Sequence, residues 1–457
     1  MSEDILDIIS TALAQPGDAS SALEFNGLGS APSAFRSTDF AAATMASAGL
    51  GVAAFASLDT PSLAPGVSVD RRLATFWFAS SIRPLGWEIP PTWDDLAADY
   101  IAEDGWIRLH TNAPHHRAAA LSVLGVPGEH RKVAREIARR KKAKLEQAVV
   151  EAGGCAAAMY SRKEWASHEQ GAAVATEPLA DISYHSCDRA ARWRIDRTRP
   201  LKDIKVLDLT RILAGPVATR FLAGYGANVL RIDPPDWEEP AAIPEVGLGK
   251  WCARLDLKSA AGLEKLEQLI RQADVLVHGY RSDALERLGI GADARRKLQP
   301  CLIDVGLDAY GWSGPWRTRR GFDSLVQMSS GLADAGMQIS KAGIPTPLPM
   351  QALDHGTGYM MAAAVMRGLA ERITTGRALS ARFSLARTAE LIARFPAPGG
   401  FDNELAPEQP EDHAPEVEQT DWGPARRLRP AIEISGIPMW WDIAAGNVGR
   451  HKAEWPD

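Results

Sequence analysis

A chain of 457 residues with 46% hydrophobic and 24% charged residues has the makeup of a folded globular protein and the length of about three domains. Its formal net charge of −6 speaks against a general nucleic-acid binder, and apart from the diluted small-residue stretch Phe40–Leu58 no apolar run approaches the length a bilayer requires, so neither nucleic acid nor membrane is expected as a partner. Four cysteines, Cys155, Cys187, Cys252 and Cys301, are scattered without CxxC spacing; they indicate neither a zinc knuckle nor a disulfide framework and fit a reducing cytoplasm.

Residues 1–35, rich in Ala, Ser, Gly and Pro, predict a short helix and loosely held chain, with Glu3, Asp4 and Asp7 where a secretory leader would be basic. The small-residue stretch Phe40–Leu58 reads as a buried helix. DGWIRLHTN, at 104–112, reads as a turn and strand, and His130–Lys144 as a basic helix whose Val133, Ile137, Leu145 and Val149 form an apolar stripe. The adjacent His115 and His116 read as exposed polar residues, and no His/Asp/Glu cluster has metal-ligand spacing, so no metal is expected. Residues 36–195 thus predict a small mixed α/β domain, with Arg192–Pro200 as a charged linker.

The stretch 204–233 carries the strongest signal. Ile204–Leu209 is a short β-branched strand, Pro216 suits the first turn of a helix, Gly226 suits its end, and a second strand closes on Asp233. GxGxxG is absent, so the usual dinucleotide fingerprint is missing. Further strands at Val275–Tyr280 and Leu302–Leu307, each preceded by a charged helical segment, make residues 196–396 a Rossmann-like, doubly wound α/β domain. Asp354 precedes a helix-forming run, Tyr359–Glu371, so its carboxylate is expected near a helix N-terminus that keeps it ionised; taken alone, this is most simply a cap worth ~1 kcal/mol. Residues 397–457 begin acidic and proline-rich, predicting a mobile connection and a tryptophan-bearing tail.

Seven blocks arrive in order: VLDLTRILAGP, YGANVLRIDPP, LDLKSAAG, ADVLVHGYRSDALERLG, YGWSGP, RRGFDSLVQMSSG and LDHGTGYMMAAAVMRGLAER. Together they resemble the signature of the family III (CaiB/BaiF) CoA-transferases across about residues 200–390. Segments resembling that family's small domain, DGWIRLHTNAPHHRAAALSVLG and SRKEWASHEQGAAVATEPLADI, stand before the catalytic half instead of after it. That order implies a permuted chain or the remnant of a tandem duplication.

The resemblance implies an acyl-CoA:carboxylate CoA-transferase with coenzyme A, as acyl-CoA, and a carboxylic acid acceptor as substrates. It makes Asp354, in a D-x-x-T-G frame with Thr357 and Gly358, the nucleophile that forms a mixed anhydride and then an aspartyl-CoA thioester. It implies CoA contacts from Ile212, Leu213, Ala214, Leu255, Lys258, Tyr280, Arg287 and Arg320, and a homodimer. Pro234 stands where an arginine near the adenosine is expected. A related α-methylacyl-CoA racemase would need a histidine where this chain has Phe322, with His355 the nearest substitute. A CoA-binding protein without activity is the remaining alternative.

Overall fold

The computed structural model describes residues 2–15, 22–60, 64–187 and 193–456. The N-terminal elements are α1 (Ser2–Ala12), β1 (Leu23–Asn26), α2 (Ser37–Ala56), β2 (Val67–Asp70) and α3 (Arg71–Ala79). After β3 (Ile82–Pro84) comes a small unit of β4 (Asp99–Ala102), β5 (Gly105–Leu109), α4 (Pro114–Leu124), α5 (His130–Ile137), α6 (Lys142–Glu151) and β6 (Ala156–Ala158), followed by α7 (Arg162–Ser167), α8 (Glu169–Thr176) and β7 (Asp181–Ser186). The nucleotide-binding-like half holds β8 (Lys205–Leu209), α9 (Ala214–Gly224), β9 (Asn228–Asp233), α10 (Ile243–Val246), β10 (Lys250–Arg254), α11 (Ala260–Gln272), β11 (Val275–His278), α12 (Ala284–Arg287), α13 (Ala292–Leu298) and β12 (Ile303–Asp308). Then follow α14 (Asp323–Ser329), α15 (Leu332–Ser340), α16 (Ala352–Thr374), β13 (Arg377–Ser384), α17 (Leu385–Ile392), β14 (His413–Thr420), β15 (Gly423–Leu428) and β16 (Ile432–Ile434).

The central sheet has seven strands in the order β10-β9-β8-β11-β12-β13-β7. All are parallel except β7, which runs antiparallel to β13. Its strands are apolar on both faces: Val275 and Val277 belong to the large core around α16, whereas Leu276 faces the second core under α11. From β8 the chain winds outward through β9 to β10, then returns to lay β11 on the other side of β8. The β8–β11 boundary is therefore a topological switch point, where ligands settle at the carboxyl ends of strands.

One arrangement occurs twice. A long helix, a strand, and a second helix starting at the residue after that strand make up both α2–β2–α3 and α16–β13–α17. The strand in each is flanked by one parallel neighbour (β1 or β12) and one antiparallel neighbour (β16 or β7). Each following helix is capped by the strand's last side chain, Asp70 or Ser384. The copies pack on each other through α2 and α16, and α1 lies on α2 as α9 lies on α16. Asp39 and Asp354 are both third residues of their long helices.

Several sequence expectations are revised. The basic segment is two helices, α5 and α6, although its apolar stripe is buried as expected. The stretch from 397 is no loose tail: β14 pairs with β15, β15 with β3, and β16 with β2. α2 is the one helix among the described residues long and apolar enough to cross a membrane, and 78% of its most apolar window is buried inside the protein. Arg192, the first residue of the expected linker, lies outside the described residues. Cys187 and Cys301 form a disulfide, Cα–Cα 5.0 Å, contrary to the expectation of unpaired thiols. Their spacing along the chain gave no sign of it, because the pairing of β7 with β13, beside β12, is what brings them together.

Candidate functional site

Asp354 lies in the first turn of α16, at its third residue and not at the cap, which is Gln351. Two glycines let α16 approach its neighbours: a Cβ on Gly356 would strike the Phe40 ring of α2, and one on Gly358 the Ala214 carbonyl of α9. One turn of α16 therefore separates Asp354 from the turn after β8. Its backbone N–H donates to Asp323 Oδ2 at 3.0 Å. Asp323 Oδ1 accepts from Gln327 Nε2 at 2.5 Å, and Gln327 Oε1 accepts from the Leu348 N–H at 2.7 Å.

Asp354 is 8% exposed and Asp323 is buried. Burial, followed by the charge of Asp323, pushes the Asp354 carboxyl well above the usual carboxylate range; burial also pushes Asp323 up, partly offset by its hydrogen bonds. This corrects the expectation of a permanently ionised Asp354: the helix-end field is outweighed by the loss of water and by a neighbouring acid. The pair holds a proton more readily than two separate carboxylates.

Asp39 has the opposite fate. It pairs with Arg71 at 2.8 Å and accepts from Ser2 Oγ at 2.8 Å, whereas Asp354 has no cationic partner among the described residues. Asp39→Asn is accordingly expected to lower thermal stability by ~1–3 kcal/mol and to leave any reaction at Asp354 in place, measured by thermal melts alongside turnover.

The other residues expected at the site are spread along the carboxyl edge of the sheet. Ile212 has a left-handed φ of 67°, unusual for a β-branched residue, and its N–H donates to Glu239 at 2.9 Å. Leu213 caps α9, and Ala214 begins it, presenting the helix's first N–H groups. Leu255, half-buried, and Lys258, exposed, follow β10. Tyr280 follows β11, with the Arg211 guanidinium 5.2 Å from its ring centre and 4.8 Å from that of Trp237. Arg287 is exposed and engaged by Asp283 on its own helix turn. Arg320 is exposed, donates to the Gly153 carbonyl at 3.3 Å, and its charge bears on Arg281 and on His115 and His116.

Sequence reasoning missed Asp323, Arg211 and Arg281, although GFD and the GYRS turn were in view. Among the described residues, Arg211, Arg281 and Arg320 have no carboxylate within ion-pair distance. His116 corrects another expectation: it is buried, and only its neighbour His115 is exposed. His355 points away from Asp354, its ring stacked on Phe78 with centres 5.0 Å apart, and burial followed by Arg220 pushes it down to about 3.

Residues 201–421 match the model of CoA-transferase family III. An "Acyl-CoA transferase" of Gibberella moniliformis is 31% identical over 304 residues, covering 61% of this chain and 53% of that protein. The "Probable fatty acyl-CoA transferase Rv3272" of Mycobacterium tuberculosis is 32% identical over 198 residues, covering 39% of this chain and 48% of that protein. Its crystal structure aligns with a TM-score of 0.40 at 32% identity, over 43% of this chain and 57% of that one. The chain spans about half the length of these curated relatives. Residues 201–421, just under half of the chain, are thus similar to CoA-transferase family III, and they include most of the parallel sheet.

Proposed function

We propose that the chain is an acyl-CoA:carboxylate CoA-transferase with Asp354 as its nucleophile. The observation that carries this reading is a water-poor carboxyl without a cationic partner among the described residues, one helical turn from the switch-point turn where three unpaired arginines gather. Once ionised, an Asp354 oxygen attacks the thioester carbonyl, the C–S bond breaks and CoA leaves as thiolate, giving a mixed anhydride. The thiolate then attacks the Asp354 carbonyl carbon and expels the first acid as carboxylate, leaving an aspartyl-CoA thioester. The acceptor acid runs both steps in reverse. One thioester and one carboxylate replace another such pair, so the exchange is close to energy-neutral. Incubation with acyl-CoAs should attach CoA to the peptide containing LDHGTGYMM, in a bond labile to hydroxylamine; no mass increase with any acyl-CoA would refute the reading.

A racemase needs a proton carrier opposite Asp354, and neither Phe322 nor the outward-stacked His355 supplies one. For CoA we assign the phosphates to Arg211, Arg281 and Arg320, the pantetheine arm to the turn at Ile212–Ala214, and supporting contacts to Leu255, Lys258, Tyr280 and Arg287. Arg320→Ala is expected to weaken CoA binding by ~1–3 kcal/mol in calorimetry, and added salt should weaken the wild type more than the variant. Arg287→Ala should cost less, because its guanidinium is already engaged by Asp283. The resemblance implies a homodimer, yet the two copies of the helix–strand–helix core already pair inside one chain. Light scattering is therefore expected to give the mass of a single chain, 49.3 kDa.

A further inference from the structure

The small unit presents an unusual wall to the Asp354 region. Along β5 and just beyond it, side chains alternate: Ile107 and Leu109 enter the small unit's own core, while Trp106 packs with Phe322 in the cluster around α14. Arg108 and His110 continue the side of Trp106. The His110 ring lies flat on Phe322, with centres 3.8 Å apart and planes 8° from parallel, and His116 meets the same ring at 6.0 Å. Phe322 caps α14, and the next residue, Asp323, holds the Asp354 N–H.

Three imidazole nitrogens here are buried without partners among the described residues, whereas Arg108 is half-buried and ion-paired with Asp99 at 2.8 Å. His110 is 6% and His116 4% exposed, and His110 Nδ1, both ring nitrogens of His116 and Arg108 Nε lack hydrogen-bond partners among the described residues. An unmet buried donor or acceptor is costly, and four lie beside one ring. Both imidazoles are held neutral. Burial, followed by Arg108, pushes His110 down to about 3; burial, followed by His115 and Arg320, pushes His116 down to about 4. Each therefore offers one donor and one acceptor, with the Arg108–Asp99 ion pair beside them.

We propose that His110 and His116, with Arg108 behind them, form the subsite for the far end of the acyl group, and that this group is short and ends in a hydrogen-bond-accepting oxygen, a carboxylate or a hydroxyl. The inference rests on the proposed transferase reading. Phe322 supplies the apolar face along which the methylene carbons lie, and the imidazole N–H groups meet the oxygen at the end. A long alkyl chain would leave the same nitrogens buried and unmet, so the wall selects against it. The subsite comes from the N-terminal half of the chain and the nucleophile from the C-terminal half, which gives the retained small unit a role in specificity.

The test compares the rate of CoA attachment to Asp354 at sub-saturating thioester, using succinyl-CoA, 4-hydroxybutyryl-CoA, butyryl-CoA and octanoyl-CoA. The first three share a four-carbon chain and differ only in the end group. Wild type is expected to favour one of the two oxygen-ended thioesters over butyryl-CoA at least tenfold, and which one it favours separates carboxylate from hydroxyl. In the His110→Leu/His116→Leu double variant that ratio should fall at least fivefold, and His110→Gln, which keeps a donor, should retain most of it. A general structural fault would lower all four rates together and leave the ratio in place. A wild-type preference for butyryl-CoA or octanoyl-CoA overturns the inference without any variant, as does a ratio that survives the double substitution. Absence of labelling by every thioester overturns the transferase reading, and this subsite with it.

Discussion

Replacing Asp354 by Asn is expected to abolish the covalent CoA adduct and to cut acyl exchange by about a thousandfold or more, because an amide of the same shape has no anionic oxygen to attack with. CoA affinity should stay within roughly tenfold, about 1.4 kcal/mol, since the assigned cations are untouched. Stability should move the other way. The Asp354 carboxyl has its folded-state pKa raised, by burial first and by Asp323 second. Between the ordinary carboxylate pKa and that raised value the folded state holds more protons than the unfolded one, so wild-type stability falls as pH rises through the window. Asn has no proton to lose. The variant should melt about 1–3 °C above wild type at neutral pH, with the gap closing towards pH 4. For the same reason wild-type adduct formation should speed up with pH as Asp354 loses its proton. A variant that exchanges acyl groups at the wild-type rate would end the nucleophile assignment, whatever its stability.

The features legible in the sequence were those written locally. The strand from Lys205 to Leu209, the helix after it and the strand ending at Asp233 follow from apolar runs, Pro216 and Gly226, and the structure has all three. The helix carrying Asp354 was equally clear, though its start was placed late. The partner that governs Asp354 was not legible, because Asp323 reaches it only through the packing of α14 against α16. The charge state went wrong for the same reason: a helix end can be read from sequence, whereas burial cannot. The repeated core stayed hidden as well. STDFAAATM and LDHGTGYMM share an acid at the third helical position and little else, and only the parallel and antiparallel neighbours of β2 and β13 reveal the match. The small-unit segments precede the catalytic half, and Asp39, unlike Asp354, is engaged by Arg71.

One buried acid also ties distant parts of the chain together, and Glu245→Gln tests its weight. Glu245 lies on α10 within the nucleotide-binding-like half. It pairs with Arg220 of α9, lies 3.6 Å from Arg427 of β15, and accepts from the Ser81 hydroxyl at 2.7 Å and the Ser81 N–H at 2.9 Å beside β3. Three parts of the chain distant in sequence therefore meet at a single carboxylate. Burial alone would raise its pKa, but Arg220, Arg427 and Ser81 outweigh burial and hold it down to about 2. Glutamine keeps the volume but leaves the buried Arg220 guanidinium without its counter-charge, while Arg427 retains Glu418 at 2.8 Å; the loss should cost ~3–5 kcal/mol in urea unfolding. Because the folded-state pKa is depressed, the wild-type contribution is complete above the ordinary glutamate value and is lost as pH falls through the folded one. Wild-type stability should therefore drop between about pH 4.5 and pH 2, and the variant's profile should be flatter across that window. If the Gln variant unfolds at the wild-type urea concentration, Glu245 is not what joins the halves. If it unfolds early yet labels Asp354 normally while folded, the ion cluster fixes the architecture and takes no part in the chemistry, which is the expected result.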